Sequence, residues 1–246
     1  MNSPTERLQR TISRLPLTAS GEGYSYLHPD ASDWQVDQHL NPANLLYALH
    51  LASDARGLAV SHRRFDVASA IFAYNQSPNR YQFLTGVNIK PEPETEVNIH
   101  AEQQAFQMAR DRGFAAVRFV VVVGETQNDT QSGHTMCTLH PCGLCRNFME
   151  ESPMVDNTNT LIVSALPDLR TLELFNINRL KRYHEDKDFE AGMRIDVPDL
   201  DLLKAAAIGN PVKLVDTDKD VKENRVWTNL IFTALQEFRE QNKLES

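Results

Sequence analysis

The sequence predicts an α/β protein, a three-layer α/β/α sandwich on a mixed sheet, and three features carry that expectation. Apolar residues at helical spacing after Asn41 give way to two strand-like runs. Residues 117–123 form an unbroken apolar run, the pattern of a strand buried on both faces and central in its sheet. Helical stretches then alternate with further apolar runs as far as about residue 185. Such alternation covers both faces of a sheet with helices and leaves the strand ends to carry a site.

Residues 1–40 are polar with scattered aromatics, Tyr24, Tyr26 and Trp34 among them, and are interrupted by Pro16 and Pro29; they read as an N-terminal extension or cap. A main domain spans 41–185. Its first helix follows from Leu45, Leu46, Leu49, Leu51, Ala52 and Leu58. Residues 65–74 and 81–89 read as two strands of a hairpin around a turn at 75–79. Between Lys90 and Asn98, Pro91 and Pro93 rule out a helix or a central strand, and with Glu92, Glu94 and Glu96 they predict a loop over the site. A second helix starts at His100, with Ala101, Ala105, Phe106 and Ala109 as its core stripe and Gly113 near its end. A polar loop at 124–133 leads toward a third helix beginning at Cys142, and residues 161–166 are the next buried strand. Beyond 185 the chain reads as a helical C-terminal extension, 186–246, with a helix at about 199–208 and a short strand at 212–215. An amphipathic helix follows over about 221–241, carrying Val226, Leu230, Ile231, Leu235 and Phe238.

Composition narrows the partners. At 246 residues, 41% hydrophobic and 24% charged, the chain matches an ordinary soluble protein with a sizeable core. A formal net charge of -8 argues against general affinity for a nucleic-acid backbone and favours a small-molecule substrate. No run of about 18 apolar residues suggests a membrane span, and residues 1–10 lack a signal peptide's apolar segment. The expected location is cytoplasmic, which suits three cysteines that offer no disulfide framework.

The chemistry gathers in two short stretches, His100-Ala101-Glu102 and Pro141-Cys142-Gly143-Leu144-Cys145. A C-x-x-C alone reads equally as a redox pair, a closed zinc site or two core cysteines. With H-x-E upstream and a proline before the first cysteine, the pattern is that of zinc-dependent nucleobase deaminases. His100, Cys142 and Cys145 then ligate one Zn²⁺, and three protein ligands leave the fourth position for water. Zinc lowers the pKa of that water toward about 7. Glu102, not a ligand, is positioned to shuttle protons during hydrolytic deamination. Two residues is the wrong spacing for one helical face, so His100 and Glu102 converge only if the helix meets the metal end-on. His134, Cys137 and His140 are rival donors without that placement and are read as unliganded.

The runs from His100 to Ala105 and from Pro141 to Glu150 resemble the cytidine deaminase family, especially its larger, homodimeric bacterial type, which has histidine as first ligand. Residues 65–70 and 85–88 resemble the family's first two strands, and 171–174, leading to Leu180 and Tyr183, the segment after its fourth, so the likeness covers about 42–185. The resemblance implies a five-stranded mixed sheet, one zinc per chain, a homodimer, and conversion of cytidine or deoxycytidine to the uracil form. Phe65 matches the aromatic against the base, the Ala101 backbone N–H would meet the pyrimidine carbonyl, and Asn88 matches a ribose-binding asparagine.

Two departures bear on the substrate. Lys90 stands where the family has a glutamate for the sugar hydroxyls, so a donor replaces an acceptor and an anionic nucleotide or modified nucleoside becomes an alternative. His140 replaces a small hydroxyl residue before Pro141-Cys142, a place where only its backbone carbonyl need face the departing amine. A polynucleotide deaminase would need basic or aromatic surface around the site, and a non-catalytic module would be expected to lack Glu102 or a ligand.

Overall fold

The computed structural model describes residues 40, 42–61, 64–75, 80–91, 98–128, 133–197, 230, 231 and 233–243. All but Leu40 of the expected extension at 1–40, residues 92–97 of the expected loop at 90–98, the helix at 199–208, the strand at 212–215 and the start of the last helix lie outside them.

The main sheet is built from a hairpin outward. β2 (Ala68–Asn75) and β3 (Arg80–Val87) pair antiparallel in unbroken register from Ala68 opposite Val87 to Asn75 opposite Arg80. The first hairpin strand therefore starts three residues later than expected, with Phe65 in the stretch without regular structure before it. β5 (Ala116–Val123) pairs antiparallel with β2 and parallel with β6 (Leu161–Ala165), which makes it central as its apolar run predicts. β7 (Thr171–Phe175) and β8 (Met193–Asp196) complete the order β3-β2-β5-β6-β7-β8.

Six strands stand where five were expected. The sixth, β8, comes from the stretch read as helical, and it covers the free edge of β7 with Leu172 opposite Ile195. A four-residue strand in which only Ile195 is buried is too short to leave a readable period. A second small sheet was also unforeseen. β1 (Val60–Ser61) runs parallel to β4 (Ile89–Lys90), setting Ser61 beside Lys90.

Because side chains alternate across the pleat, Phe119 and Val121 face one layer while Val120 and Val122 face the other. The first layer is α1 (Pro42–Ala55) with α5, the helical residues 230, 231 and 233–243, through Leu45, Leu49, Ile231, Leu235 and Phe238. The second layer is α2 (Ala101–Asp111), α3 (Gly143–Glu150) and α4 (Ile177–His184), through Phe106, Met149, Leu180 and Tyr183. Each fully buried Leu or Phe here contributes about 1.5–3 kcal/mol. Gly113, at φ 73°, closes α2: its N–H reaches the Arg110 carbonyl and that of Phe114 the Ala109 carbonyl. Among the described residues no helix is long and apolar enough to cross a membrane.

Candidate active site

Two helix N-termini meet at the end of the sheet where Ala68, Val87 and Val123 lie side by side. His100 holds the N-cap position of α2, with φ -93° and ψ 146°. Cys142 holds the same position on α3, with φ -66° and ψ 166°. Neither side chain caps its own helix; instead they face each other, with His100 Nδ1 3.4 Å from the Sγ of Cys142 and 3.4 Å from that of Cys145. The helix seat is set by Gly86 on β3, where an added Cβ would come within 2.1 Å of the Ala101 carbonyl and 2.8 Å of the Ala105 nitrogen.

The donors suit zinc. Tetrahedral zinc with bonds of about 2.0–2.3 Å separates neighbouring N and S ligands by roughly 3.5 Å, close to the spacing in place. The three ligand atoms lie within 4.8 Å of one another, and among the described residues this is the group assembled to hold a metal. His134 stacks on Phe189 at 3.9 Å and Cys137 sits beside the Arg194 guanidinium, so those rivals are engaged elsewhere.

The cysteines titrate as a pair. A hydrogen bond from Cys145 brings the Cys142 thiol down to about 3 against its burial, with His100 helping, while that bond and burial push Cys145 up. Glu102, 4% exposed, lies in the first turn of α2. Burial raises its pKa and the negative charge of Cys142 adds to this, although its own backbone N–H and the Cys145 thiol pull the other way.

A cavity of about 500 Å³ opens onto this group. Phe65, Asn88, Lys90, Ala101 and His140 all line it together with His100, Glu102 and Cys142, while Cys145 is buried behind the wall. The Asn88 side chain is hydrogen-bonded to the backbone. Its Oδ1 accepts from the Val67 N–H at 2.8 Å and its Nδ2 donates to the Phe65 carbonyl at 2.8 Å, which holds the Phe65 segment against the cavity. Lys90 is half-buried at the end of β4.

The sequence reading missed Ser61, Asn98, Gln127, Asn128, Arg146 and His184, which also line the cavity. Arg146 had a signal: it follows Cys142 by four residues on the same helix, and its Nη1 donates to the Pro141 carbonyl at 2.9 Å. His184 had none, since it arrives from α4, far along the chain.

The profile of the cytidine and deoxycytidylate deaminase zinc-binding region matches residues 43–160, which include all three donors and Glu102. This segment belongs to that family. Zinc is accordingly the metal for which the His100, Cys142 and Cys145 donors are arranged. Cytidine deaminase from Burkholderia pseudomallei is similar over 54% of this chain and 92% of its own, at 20% identity and TM-score 0.42. The Mycobacterium leprae cytidine deaminase is similar over 56% and 96%, at 21% identity and TM-score 0.39. For the Mycobacterium tuberculosis cytidine deaminase the figures are 48%, 83%, 21% and 0.36. Comparison with curated proteins returns no match.

Proposed function

We propose that the protein is a zinc-dependent hydrolase that deaminates cytidine, deoxycytidine or a closely related cytosine nucleoside to the uracil form with release of ammonia. The observation that carries the reading is the buried Glu102 carboxyl beside His100 and Cys142 on the cavity wall, with the third donor, Cys145, buried behind them. Bound zinc supplies Lewis-acid activation of a water molecule at neutral pH. Glu102 takes the first proton of the water as the new C–O bond forms and passes it to the ring nitrogen, then takes the second from the resulting hydroxyl and delivers it to the departing amine as the C–N bond breaks. Phe65 offers a face for the base, and the backbone N–H of Ala101 reads the pyrimidine carbonyl. His140 presents its backbone carbonyl to the leaving amine, and Asn88 and Lys90 meet the sugar side.

An anionic cytosine nucleotide is the second reading, favoured by Lys90 and Arg146 on a wall where Glu102 is the sole carboxylate among the described lining residues. A non-catalytic binding module is disfavoured by the intact set of three donors and Glu102. The homodimer implied by the resemblance and a cytoplasmic location complete the proposal, the location being supported by three free cysteines.

The test is ammonia release from cytidine, deoxycytidine, their monophosphates, adenosine and guanine, for wild type and Glu102→Gln. Turnover of at least one cytosine compound is expected, with the variant keeping zinc and losing at least about 10²–10⁴-fold in rate. Near-normal turnover in the variant would remove Glu102 from the proton path.

A further inference from the structure

A second cavity of about 500 Å³ lies at the far end of the sheet from the zinc donors. It opens where β5 and β6 begin, between Arg118 and Leu161 on the strands and the last turns of α5. Arg118 and Val123, the latter at the zinc end, stand about 16 Å apart along β5 at a rise of ~3.3 Å per residue.

Three cations line this cavity, Arg118, Arg239 and Lys243, against a single carboxylate, Asp156, among the described lining residues. Asp156 is turned into its own loop: its carboxylate accepts from the N–H groups of Thr158 and Asn159 and from the Asn159 side chain, each at 2.9 Å. Arg118 is held over the same loop by a hydrogen bond from Nη1 to the Asn159 carbonyl. The loop is tied down in turn at Thr158, whose carbonyl accepts from Asn176 Nδ2 at 2.9 Å and from Asn242 Nδ2 at 3.5 Å. This wall is therefore built in advance, which spares a ligand the cost of ordering it.

Basic residues in the last turns of a helix are ordinary, since they complement its dipole. Two observations go beyond that. Arg239, half-buried, pairs with no carboxylate among the described residues. Asn242, 9% exposed, lines the same cavity with a buried Oδ1 that no described group satisfies. A buried acceptor without a donor is costly, and a ligand that brings a donor removes the cost. Leu161 and Phe238 add an apolar floor, and the volume suits a small organic molecule.

We propose that this cavity binds a small phosphate monoester, its phosphate against Arg239, Lys243 and Arg118 and a hydroxyl of the ester donating to Asn242 Oδ1. Guanidinium groups match phosphate oxygens through paired N–H donors, and the excess of positive charge favours the dianion. The proposal stands apart from the reading of the zinc cavity, which shares no described lining residue with this one.

The experiment uses the zinc-loaded full chain, ribose 5-phosphate and inorganic phosphate as probes, and calorimetric binding. Wild type should bind ribose 5-phosphate more tightly than inorganic phosphate, with an affinity that falls as sodium chloride is raised. Arg239→Glu should weaken both probes roughly tenfold or more, the scale of one lost charge-assisted hydrogen bond. Lys243→Glu, at an exposed position, should act in the same direction and decides the matter if Arg239→Glu does not fold. Asn242→Ala should weaken ribose 5-phosphate and leave inorganic phosphate near wild type, whereas Lys90→Glu in the zinc cavity should change neither. Wild type that binds neither probe at millimolar concentration, binding that survives both Arg239→Glu and Lys243→Glu, or binding lost in Lys90→Glu overturns the proposal. Inorganic phosphate bound as tightly as the ester, with no effect of Asn242→Ala, also overturns it and leaves an adventitious ion only.

Discussion

At the residue scale, function depends on where single polar atoms end up. Cys142 is exposed at a helix start, whereas Cys145 is fully buried one turn on, yet both reach the same histidine nitrogen. Cys142→Ala should therefore lose bound zinc, as read by metal analysis of the purified variant; full retention would show that the donors are misassigned. Lys90 tests the substrate. If its ammonium faces the sugar end, a neutral ribose misses charge-assisted hydrogen bonds worth roughly 1.5–3 kcal/mol each. Lys90→Glu should then raise kcat/KM for cytidine and lower it for cytidine monophosphate. An unchanged ratio between the two substrates would take Lys90 out of recognition.

At the element scale, the site depends on how closely α2 sits on β3. Gly86 lets the two backbones approach to a distance no side chain allows, and this contact carries the helix start that bears His100 and Glu102. Gly86→Ala should cost roughly 1–3 kcal/mol or more through overpacking, measured by urea denaturation. It should also weaken zinc retention, because relief of the clash moves the first turn of α2. Wild-type stability together with wild-type zinc content would mean the helix tolerates the shift. The same close approach explains how a two-residue spacing serves one site: His100 points along the end of the helix and Glu102 lies in its first turn.

At the scale of the whole molecule, a metal at this site ties together segments 42 and 45 residues apart, linking α2 to α3 above the sheet. Zinc bound only by the folded chain adds its binding energy to folding. At a thousandfold excess over Kd this is about 4 kcal/mol, and removal by a chelator should lower Tm on the order of 10 °C. Calorimetry with and without chelator checks this; an unchanged Tm after verified metal loss would separate the site from the stability of the fold. The sequence by itself determined the α/β class, the central place of residues 117–123, and the donors with Glu102, because apolar period and ligand spacing are local properties of the chain. The Phe65, Asn88, Lys90, Ala101 and His140 positions were suggested by resemblance, and the fold brings all five to one cavity. The tertiary structure alone decided the sixth strand, the β1–β4 ladder and the meeting of Glu173, His140 and His184. These contacts join residues 19 to 44 positions apart. Such contacts leave no local period, since they follow from which edge stays open and which helix end packs against it.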